Sequence, residues 1–413
     1  MRLMTDLLYR RPCAGRAVSV FFLFIALGLL VSVTGGAGAA DTSIKGIRFG
    51  ENAGRTRIVL DVSQATTPRL FLLRDPNRVV IDLAGAEWLN TTPASARGVV
   101  ARYRHGLFSA DTYRIVLDLS RAAVIARSFT LPPNGKRGYR LVIDLEPADQ
   151  DRFLAAVAAT RKARQASRVP EHDIVQTPVR RASDKRVIVV DPGHGGIDPG
   201  TLGVLGVNEK IITLRMARVI RKELAKNPRY EVHLTRDRDI FIPLRKRIDI
   251  ARRHGAELFI SVHADAIKNP KVRGGTVYTL SETSSDREAA RLAAKENKSD
   301  LIAGLNLEEA ADEVSSILIE LAQRETMNYS AEFAGMLLPE MRREVVMHKR
   351  GHRFAGFVVL KAPDVPSVLI ETGYLSNRAD ARVLDSAEGR LRIARAIRRA
   401  TDKYFERLTA MGR

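Results

Sequence analysis

The 413-residue sequence predicts a small all-β, sandwich-like domain followed by an α/β domain with a mixed, largely parallel twisted sheet flanked by helices. Short β-branched runs repeat in the first part of the chain, whereas beyond residue 186 apolar runs alternate with amphipathic helical segments. The length favours more than one domain. With 45% hydrophobic and 28% charged residues, the composition is typical of a globular protein and argues against disorder.

Residues 1–40 have the pattern of a secretory signal peptide. Arginines ending at Arg16 precede a charge-free apolar run, 17–33, and Ala-Gly-Ala at 37–39 fits a small-x-small cleavage site. The alternative is an uncleaved anchor, for which the run is short. We therefore expect export to the periplasm, by either the Sec or the twin-arginine route, with no stable membrane span after cleavage. Removal of Cys13, the single cysteine, excludes a disulfide framework and a cysteine-based zinc site.

Residues 42–147 contain an internal repeat. RIVLDVS at 57–63 returns as RIVLDLS at 114–120, and RVVIDL at 78–83 returns as RLVIDL at 140–145. Such runs, bounded by turn-forming residues, predict strands in a pseudo-twofold β-domain. The segment has no histidine pair, Ser-His-Asp set or carboxylate cluster, so binding or a structural role is favoured over catalysis.

Residues 148–185 are rich in Ala, Arg, Lys and Gln and predict a basic flexible linker that begins with a helix near 152–164. The α/β domain is predicted over 186–406. Its predicted strands are 187–190, 232–235, 258–262, 276–280 and 368–370, and its first helices are 210–225 and 244–254.

Two histidines follow two of these strands. His194 lies in the glycine-rich loop DPGHGGIDPG at 191–200, and His263 ends the strand 258–262. The glycine spacing does not fit a phosphate-binding loop. For each histidine taken alone, the alternative is a structural or incidental role. Two exposed imidazoles at strand ends are nevertheless a plausible pair of metal ligands.

Two carboxylates complete the pattern. Glu209 begins the first helix of the α/β domain, where its alternative role is to complement the helix dipole. Glu371 ends the apolar strand 368–370, and a carboxylate there is costly unless it is paired or catalytic. Two histidines, one glutamate and an open position are typical of catalytic zinc, and a further glutamate can transfer the proton of the attacking water.

These motifs together resemble the catalytic domain of zinc-dependent N-acetylmuramoyl-L-alanine amidases over 186–406. The ordered matches are DPGHGG, Glu209, LTR at 234–236 with Leu244 and Arg247, SVHAD at 261–265, GGTVY at 274–278 and ETGYLSN at 371–377. The resemblance implies one zinc ion held by His194, Glu209 and His263, with Glu371 as the catalytic residue. It also implies direct attack of water on the amide between muramic acid and L-alanine of peptidoglycan, in daughter-cell separation. Residues 42–147 resemble the AMIN domain, which is implicated in cell-wall targeting.

Two other functions remain open at this point. A non-catalytic peptidoglycan-binding scaffold is disfavoured because all four candidate site residues are present. A zinc peptidase acting on the stem peptide would use the same metal chemistry. No HExxH motif is present, and the ordered matches favour the amidase.

The segment 281–324 is a possible regulatory helical insertion. Ser285 and Glu288 predict a capping box at a helix start. Ordinary packing helices are the alternative, but the resemblance implies an inserted helix whose glutamate fills the open zinc position until an activator protein removes it. Glu296 is the best candidate for that glutamate. Its rivals are Glu308, Glu309 and Glu313. An apolar helical stripe is formed by Val314, Ile317, Leu318 and Leu321, and it is either the surface that the activator binds or part of the core.

The formal net charge of +20 indicates a polyanionic partner. Composition alone allows nucleic acid, an anionic membrane or an acidic polymer. Export and the resemblance exclude nucleic acid and favour peptidoglycan, whose stem peptides carry carboxylates. We expect the charge to support non-specific adhesion to the wall.

Overall fold

A computed structural model describes residues 42–89, 92–166, 185–305 and 317–412, with the backbone alone at 165–166 and 317–322. The predicted signal peptide, residues 167–184 of the predicted linker, Val314 and the rival glutamates Glu308, Glu309 and Glu313 lie outside these residues. Within them no helix has both the length and the apolar character needed to cross a membrane. The predicted fold class is confirmed in both parts of the chain.

Residues 42–147 form a β-sandwich. Its strands are β1 (Thr42–Asn52), β2 (Arg55–Val62), β3 (Arg69–Leu73), β4 (Arg78–Ala84), β5 (Ala86–Trp88), β6 (Val100–Leu107), β7 (Thr112–Leu119), β8 (Ala123–Leu131) and β9 (Tyr139–Pro147). One sheet has the order β5-β1-β2-β9-β8 and the other β3-β4-β7-β6. Alternate residues of both sheets, such as Ile58 and Ile115, fill the core between them. Helix α1 (Gln150–Ala166) adds Phe153 to this core.

The sequence repeat explains the pairing of the central strands. The first motif of one copy pairs with the second motif of the other, so β2 lies beside β9 and β7 lies beside β4. On the outer face of each sheet a bidentate ion pair joins the two motifs. Arg57 binds Asp144 at 2.7 and 2.8 Å, and Arg114 binds Asp82 at 2.6 and 2.7 Å. The sandwich therefore has two pseudo-equivalent outer faces.

The α/β part has one mixed sheet of order β11-β10-β12-β15-β13-β14, in which β13 and β15 are antiparallel and the other pairs are parallel. Its strands are β10 (Arg186–Pro192), β11 (Tyr230–Leu234), β12 (Leu258–His263), β13 (Gly275–Leu280), β14 (Met347–Ala355) and β15 (Ser367–Glu371). Its helices are α2 (Glu209–Leu224), α3 (Leu244–Arg253), α4 (Arg287–Glu296), α5 (Ser299–Ile302), α6 (Ile317–Glu344), α7 (Arg378–Asp385) and α8 (Ala387–Ala410).

Alternating residues of the central strands point to cores on opposite faces of this sheet. Ile188 and Val190 pack in the core with α2, α6 and α8, whereas Val189 packs in the core with α3 and α4. Because both faces are covered, the strands are almost continuously apolar, as parallel strands require. This arrangement leaves only the strand ends available for polar chemistry.

The predicted capping box at Ser285 is wrong. Asp286 is the N-cap of α4, and its carboxylate accepts hydrogen bonds from the amides of Glu288 and Ala289. The Ser285 hydroxyl instead accepts from the amide of Phe354 at 3.3 Å, and Glu288 binds Arg353 at 3.0 Å. The helix therefore begins one residue later than predicted.

Candidate metal centre

The carboxyl ends of β10, β12 and β15 converge at one edge of the sheet. His194 follows β10, while His263 ends β12 and Glu371 ends β15. His263 and Glu371 are direct neighbours in the parallel register of the last two strands. Glu209, the first residue of α2, returns to the same edge. The four residues selected from the sequence are thus brought together.

The glycine-rich loop fits closely around the two imidazoles. His194 itself has a left-handed backbone with φ of 59°. A Cβ atom at Gly193 would lie 2.3 Å from the His263 ring, and one at Gly200 would lie 2.7 Å from His194 Cδ2. Buried Arg247 binds the carbonyl of His194 at 2.9 Å. Glycine at these positions lets the backbone pass where a side chain would displace a histidine.

Four side chains surround a common point between the histidines. His194 Nε2 lies 3.1 Å from Glu209 Oε2, and His263 Nδ1 lies 3.3 Å from Glu209 Oε1. Glu296 Oε2 lies 3.4 Å from both of these imidazole nitrogens. Among the described residues, neither of these two nitrogens has a hydrogen-bond partner, although both atoms are buried. Buried, convergent and unpartnered donor atoms are the arrangement that a bound cation would satisfy.

Other residues fix the orientation of these donors. His194 Nδ1 lies 2.9 Å from Asp198 Oδ2, which leaves Nε2 facing the centre. Glu209 accepts hydrogen bonds from the amides of Ala264 at 2.9 Å and Thr201 at 3.1 Å. A carboxylate behind a histidine is typical of the groups that orient metal ligands.

The charges around His194 and Glu209 favour their ionised forms. Burial by itself would lower the pKa of His194, but the carboxylates of Glu209, Asp198 and Glu296 outweigh it and raise the pKa well above its ordinary value. Burial would raise the pKa of Glu209, but His194 outweighs it and lowers the pKa. Several carboxylates face the two imidazoles, so the site is suited to hold positive charge.

Glu371 differs from the other carboxylates. Its Oε2 accepts a hydrogen bond from the amide of Asp265 at 2.9 Å, whereas its buried Oε1 has no partner among the described residues. Burial, together with the charges of Asp265, Glu209 and Glu296, raises the pKa of Glu371 well above its usual range. A buried carboxylate with a raised pKa and one free oxygen is equipped to accept and return a proton.

Helix α4 closes the site. Glu296, its last residue, is buried at 5% exposure. The preceding Lys295 forms an ion pair with Asp265 and donates a hydrogen bond to Thr201 at 2.9 Å. The cavity that both histidines and Glu296 line has a volume of about 10 Å³, room for about one water molecule. A second cavity, of about 270 Å³, borders His194 and Glu296 on the side of Arg104. In this conformation α4 leaves little free space directly between the two imidazoles and Glu296.

Sequence reasoning assigned no role to three contributors to this site, Asp198, Lys295 and Asp265. Asp198 lies in the glycine-rich loop, and its position four residues after His194 was a usable signal. The ion pair between Lys295 and Asp265 connects residues 30 positions apart, and no local pattern indicates it.

Sequence comparisons relate both domains to known families. The sequence model of the N-acetylmuramoyl-L-alanine amidase family matches residues 188–403, and that of the AMIN domain matches residues 46–145. The amidase AmiC of Escherichia coli O6:H1 is 32% identical over 389 residues, covering 91% of this chain and 93% of that protein. AmiC of Neisseria meningitidis serogroup B is 34% identical over 366 residues, covering 85% and 87%. The solved structure of AmiC2 from Nostoc punctiforme is 28% identical, with a TM-score of 0.40 and coverage of 54% and 97%.

Fold and site thus define an α/β protein with a possible metal centre of His194, His263 and a glutamate at the strand ends. The chain belongs to the N-acetylmuramoyl-L-alanine amidase family and carries an AMIN domain ahead of its amidase domain. It is a peptidoglycan amidase, and neither the non-catalytic scaffold nor the stem-peptide peptidase is favoured.

Proposed function

We propose that this amidase is a zinc enzyme that is exported to the periplasm and rests in a closed state. Residues 1–40 would be its signal peptide, 42–147 its wall-targeting domain, 148–185 a basic linker and 186–406 its catalytic domain. The regulatory insertion would span 281–324. The observation that carries the proposal is a pair of buried imidazole nitrogens, His194 Nε2 and His263 Nδ1, without hydrogen-bond partners among the described residues. Both nitrogens face carboxylate oxygens of Glu209 and Glu296.

The donor set fits zinc. Two imidazole nitrogens and one carboxylate are a common ligand set of catalytic zinc, which keeps a fourth position for water or substrate. His194, His263 and Glu209 would be these three ligands, because Glu209 is fully buried and anchored by two backbone amides. Zinc bound there lowers the pKa of water toward neutrality and polarises the scissile carbonyl.

Glu371 would carry the proton. Its free Oε1 accepts the proton of the attacking water, while the amide of Asp265 holds Oε2 and so fixes the carboxylate. The raised pKa of Glu371 makes it a stronger base than an exposed glutamate. The same proton then passes to the nitrogen of L-alanine as the amide bond breaks. No side-chain nucleophile is required.

Glu296 would be the removable fourth ligand. It reaches the histidines from α4, which crosses the site, whereas Glu209 belongs to a helix packed in the core. In the resting enzyme Glu296 excludes water and substrate, and an activator protein acting on the helical insertion would withdraw it. Such control suits an enzyme of daughter-cell separation, because unrestricted cleavage would weaken the wall.

Digestion of purified sacculi tests the reaction. Mass spectrometry should detect intact stem peptides beginning with L-alanine and peptide-free glycan. Glu371→Gln should keep zinc yet lose at least about a thousandfold in turnover, because proton transfer has no replacement. Shortened stem peptides would instead identify a peptidase, and retained turnover would remove Glu371 from its role.

Glu296→Ala tests the closed state. Opening the fourth position should raise basal hydrolysis of soluble peptidoglycan fragments at least tenfold by an order-of-magnitude estimate. Arg291→Ala, on the exposed side of the same helix, is the matched control and should leave the rate unchanged. Equal basal rates for the two variants, at one zinc per chain, would contradict the role of Glu296.

A further inference from the structure

Three arginines of the AMIN β-sandwich contact residues 299–305, which follow helix α4 and which we call the closing segment. Arg78 on β4 donates to the carbonyl of Leu301. Arg104 on β6 donates to the carbonyl of Ile302 at 2.8 Å, and Arg114 on β7 donates to that of Ala303 at 2.8 Å. Neighbouring strands of one sheet thus bind three consecutive carbonyls. We call these residues the arginine triad.

The bound carbonyls belong to the end of α5, which begins only three residues after Glu296. The last carbonyls of a helix have no partners within the helix and carry partial negative charge, so guanidinium groups satisfy both needs. Ser299 and Asp300, at the start of α5, are tied to the metal side by bonds to Asp198 and to the amide of Leu244. The segment is therefore held between the catalytic domain and the sandwich.

Apolar contacts reinforce this attachment. Ala303 is fully buried in a cluster with Val80 and Val116, which project from the outer face of the sheet. A Cβ atom at Gly304 would lie 3.0 Å from Val80 and 3.3 Å from Val116. The close fit means that the segment and the sheet exclude water from Arg78 and Arg114, which are 1% and 3% exposed, and this strengthens their charged hydrogen bonds.

The other outer face of the sandwich shows that the fold alone does not require this contact. By the sequence repeat, Arg57 corresponds to Arg114 and Arg140 to Arg78. Arg57 makes the same bidentate bond to Asp144 that Arg114 makes to Asp82, yet Arg57 is 32% exposed and Arg114 only 3%. Among the described residues, Arg57 and Arg140 make no hydrogen bond to the α/β part. Only one of the two faces has become a binding surface for the closing segment.

The same sheet also reaches the loop that carries His194. The carbonyl of Leu107, at the end of β6, accepts a hydrogen bond from the amide of Phe241 at 3.1 Å. A Cβ atom at Gly196 would lie 1.8 Å from that carbonyl oxygen, so the two backbones touch. The sandwich consequently contacts both the metal loop and the segment that closes it.

We propose that the AMIN domain has an inhibitory function besides wall targeting: its arginine triad holds residues 299–305 and thereby keeps Glu296 in the metal centre. This inference rests on the proposed closing role of Glu296. The domain that binds the wall and the element that blocks catalysis are then physically connected. Any event that separates the sheet from this segment favours opening of the site.

Matched pairs of variants test the arginine triad in the full chain. Arg114→Ala and Arg104→Ala should each raise basal hydrolysis of soluble peptidoglycan fragments by roughly tenfold, the expected effect of one lost charge-assisted hydrogen bond. Arg57→Ala and Arg48→Ala remove comparable Arg–Asp pairs that face solvent and should leave the rate unchanged. Thermal melting confirms that each variant is folded. Equal rates within both pairs would overturn the inference.

Combination with Glu296→Ala separates this inference from the proposed closing role. If Glu296→Ala is already open, adding Arg114→Ala should not raise its rate further; an additional tenfold rise would contradict the inference. If the basal rate of Glu296→Ala is not raised, the proposed closing role of Glu296 is wrong. Amide hydrogen exchange then tests, independently of activity, whether the arginine triad holds the segment. Amides of residues 299–305 should exchange faster in Arg114→Ala than in Arg57→Ala, and equal exchange would overturn the contact's role.

Discussion

At the scale of single residues, Asp198 connects the candidate metal centre to the start of α5. One oxygen, Oδ2, accepts from His194 Nδ1 at 2.9 Å and from the Ser299 hydroxyl. His194 outweighs the effect of burial and lowers the pKa of Asp198 to about 2. Asp198 is therefore charged at neutral pH, and it orients a proposed zinc ligand while it also holds the start of α5.

Asp198→Asn should reduce zinc affinity by roughly 10- to 100-fold, because the amide no longer offers a charged acceptor to His194. Competition with a chelator measures this affinity. Ser299→Ala is the matched control, since it removes only the bond between Asp198 and the closing segment. Equal zinc affinities in the two variants would show that Asp198 does not support the histidine.

At the scale of elements, the start of α4 shows where local patterns lose precision. Ser285 and Asp286 are both good N-cap residues, so the sequence does not distinguish them. The choice depends on β14, because Ser285 binds the amide of Phe354 and Arg353 binds Glu288. These partners lie more than 60 positions away along the chain.

Asp286→Ala should lower the free energy of unfolding by about 1 kcal/mol, since two amides of the first turn of α4 lose their acceptor. Ser285→Ala, the neighbouring control, should cost less because Ser285 accepts a single long hydrogen bond. Urea unfolding of the two variants measures the difference. A larger loss for Ser285→Ala would favour the capping box over the observed cap.

Features set by interactions between residues close in sequence could be predicted, whereas contacts between residues far apart in sequence could not. The strand ending at His263 and the helix beginning near Glu209 could be predicted because apolar periodicity and caps are local. The convergence of His194, His263 and Glu371 followed from the geometry of parallel strands. The attachment of Arg114 to Ala303 could not be predicted, because it joins residues 189 positions apart on two domains.

At the scale of the whole molecule, the basic side chains divide into a buried and an exposed group. The formal charge of +20 suggested adhesion to an acidic polymer. Several arginines are nevertheless buried in internal roles. Arg78 and Arg114 bind the closing segment, whereas Arg236 and Arg247 bind carbonyls of the metal loop. Only the exposed remainder is available to the wall, so net charge alone overstates the adhesive surface.

The two domains act together in this picture. The AMIN sandwich contacts residues 299–305, these residues follow Glu296, and Glu296 faces both histidines. The candidate metal centre is therefore the end point of a continuous chain of contacts that begins in another domain. We propose that the central element of this chain is a zinc ion that Glu296 coordinates in the resting enzyme.

Anomalous diffraction at the zinc edge, from crystals of the zinc-loaded full chain, tests that element most directly. One strong peak should lie among His194, Glu209, His263 and Glu296, with all four side chains within coordination distance and no water as a fourth ligand. A peak elsewhere, or zinc at the histidines with Glu296 withdrawn and water in its place, would contradict a resting state closed by Glu296.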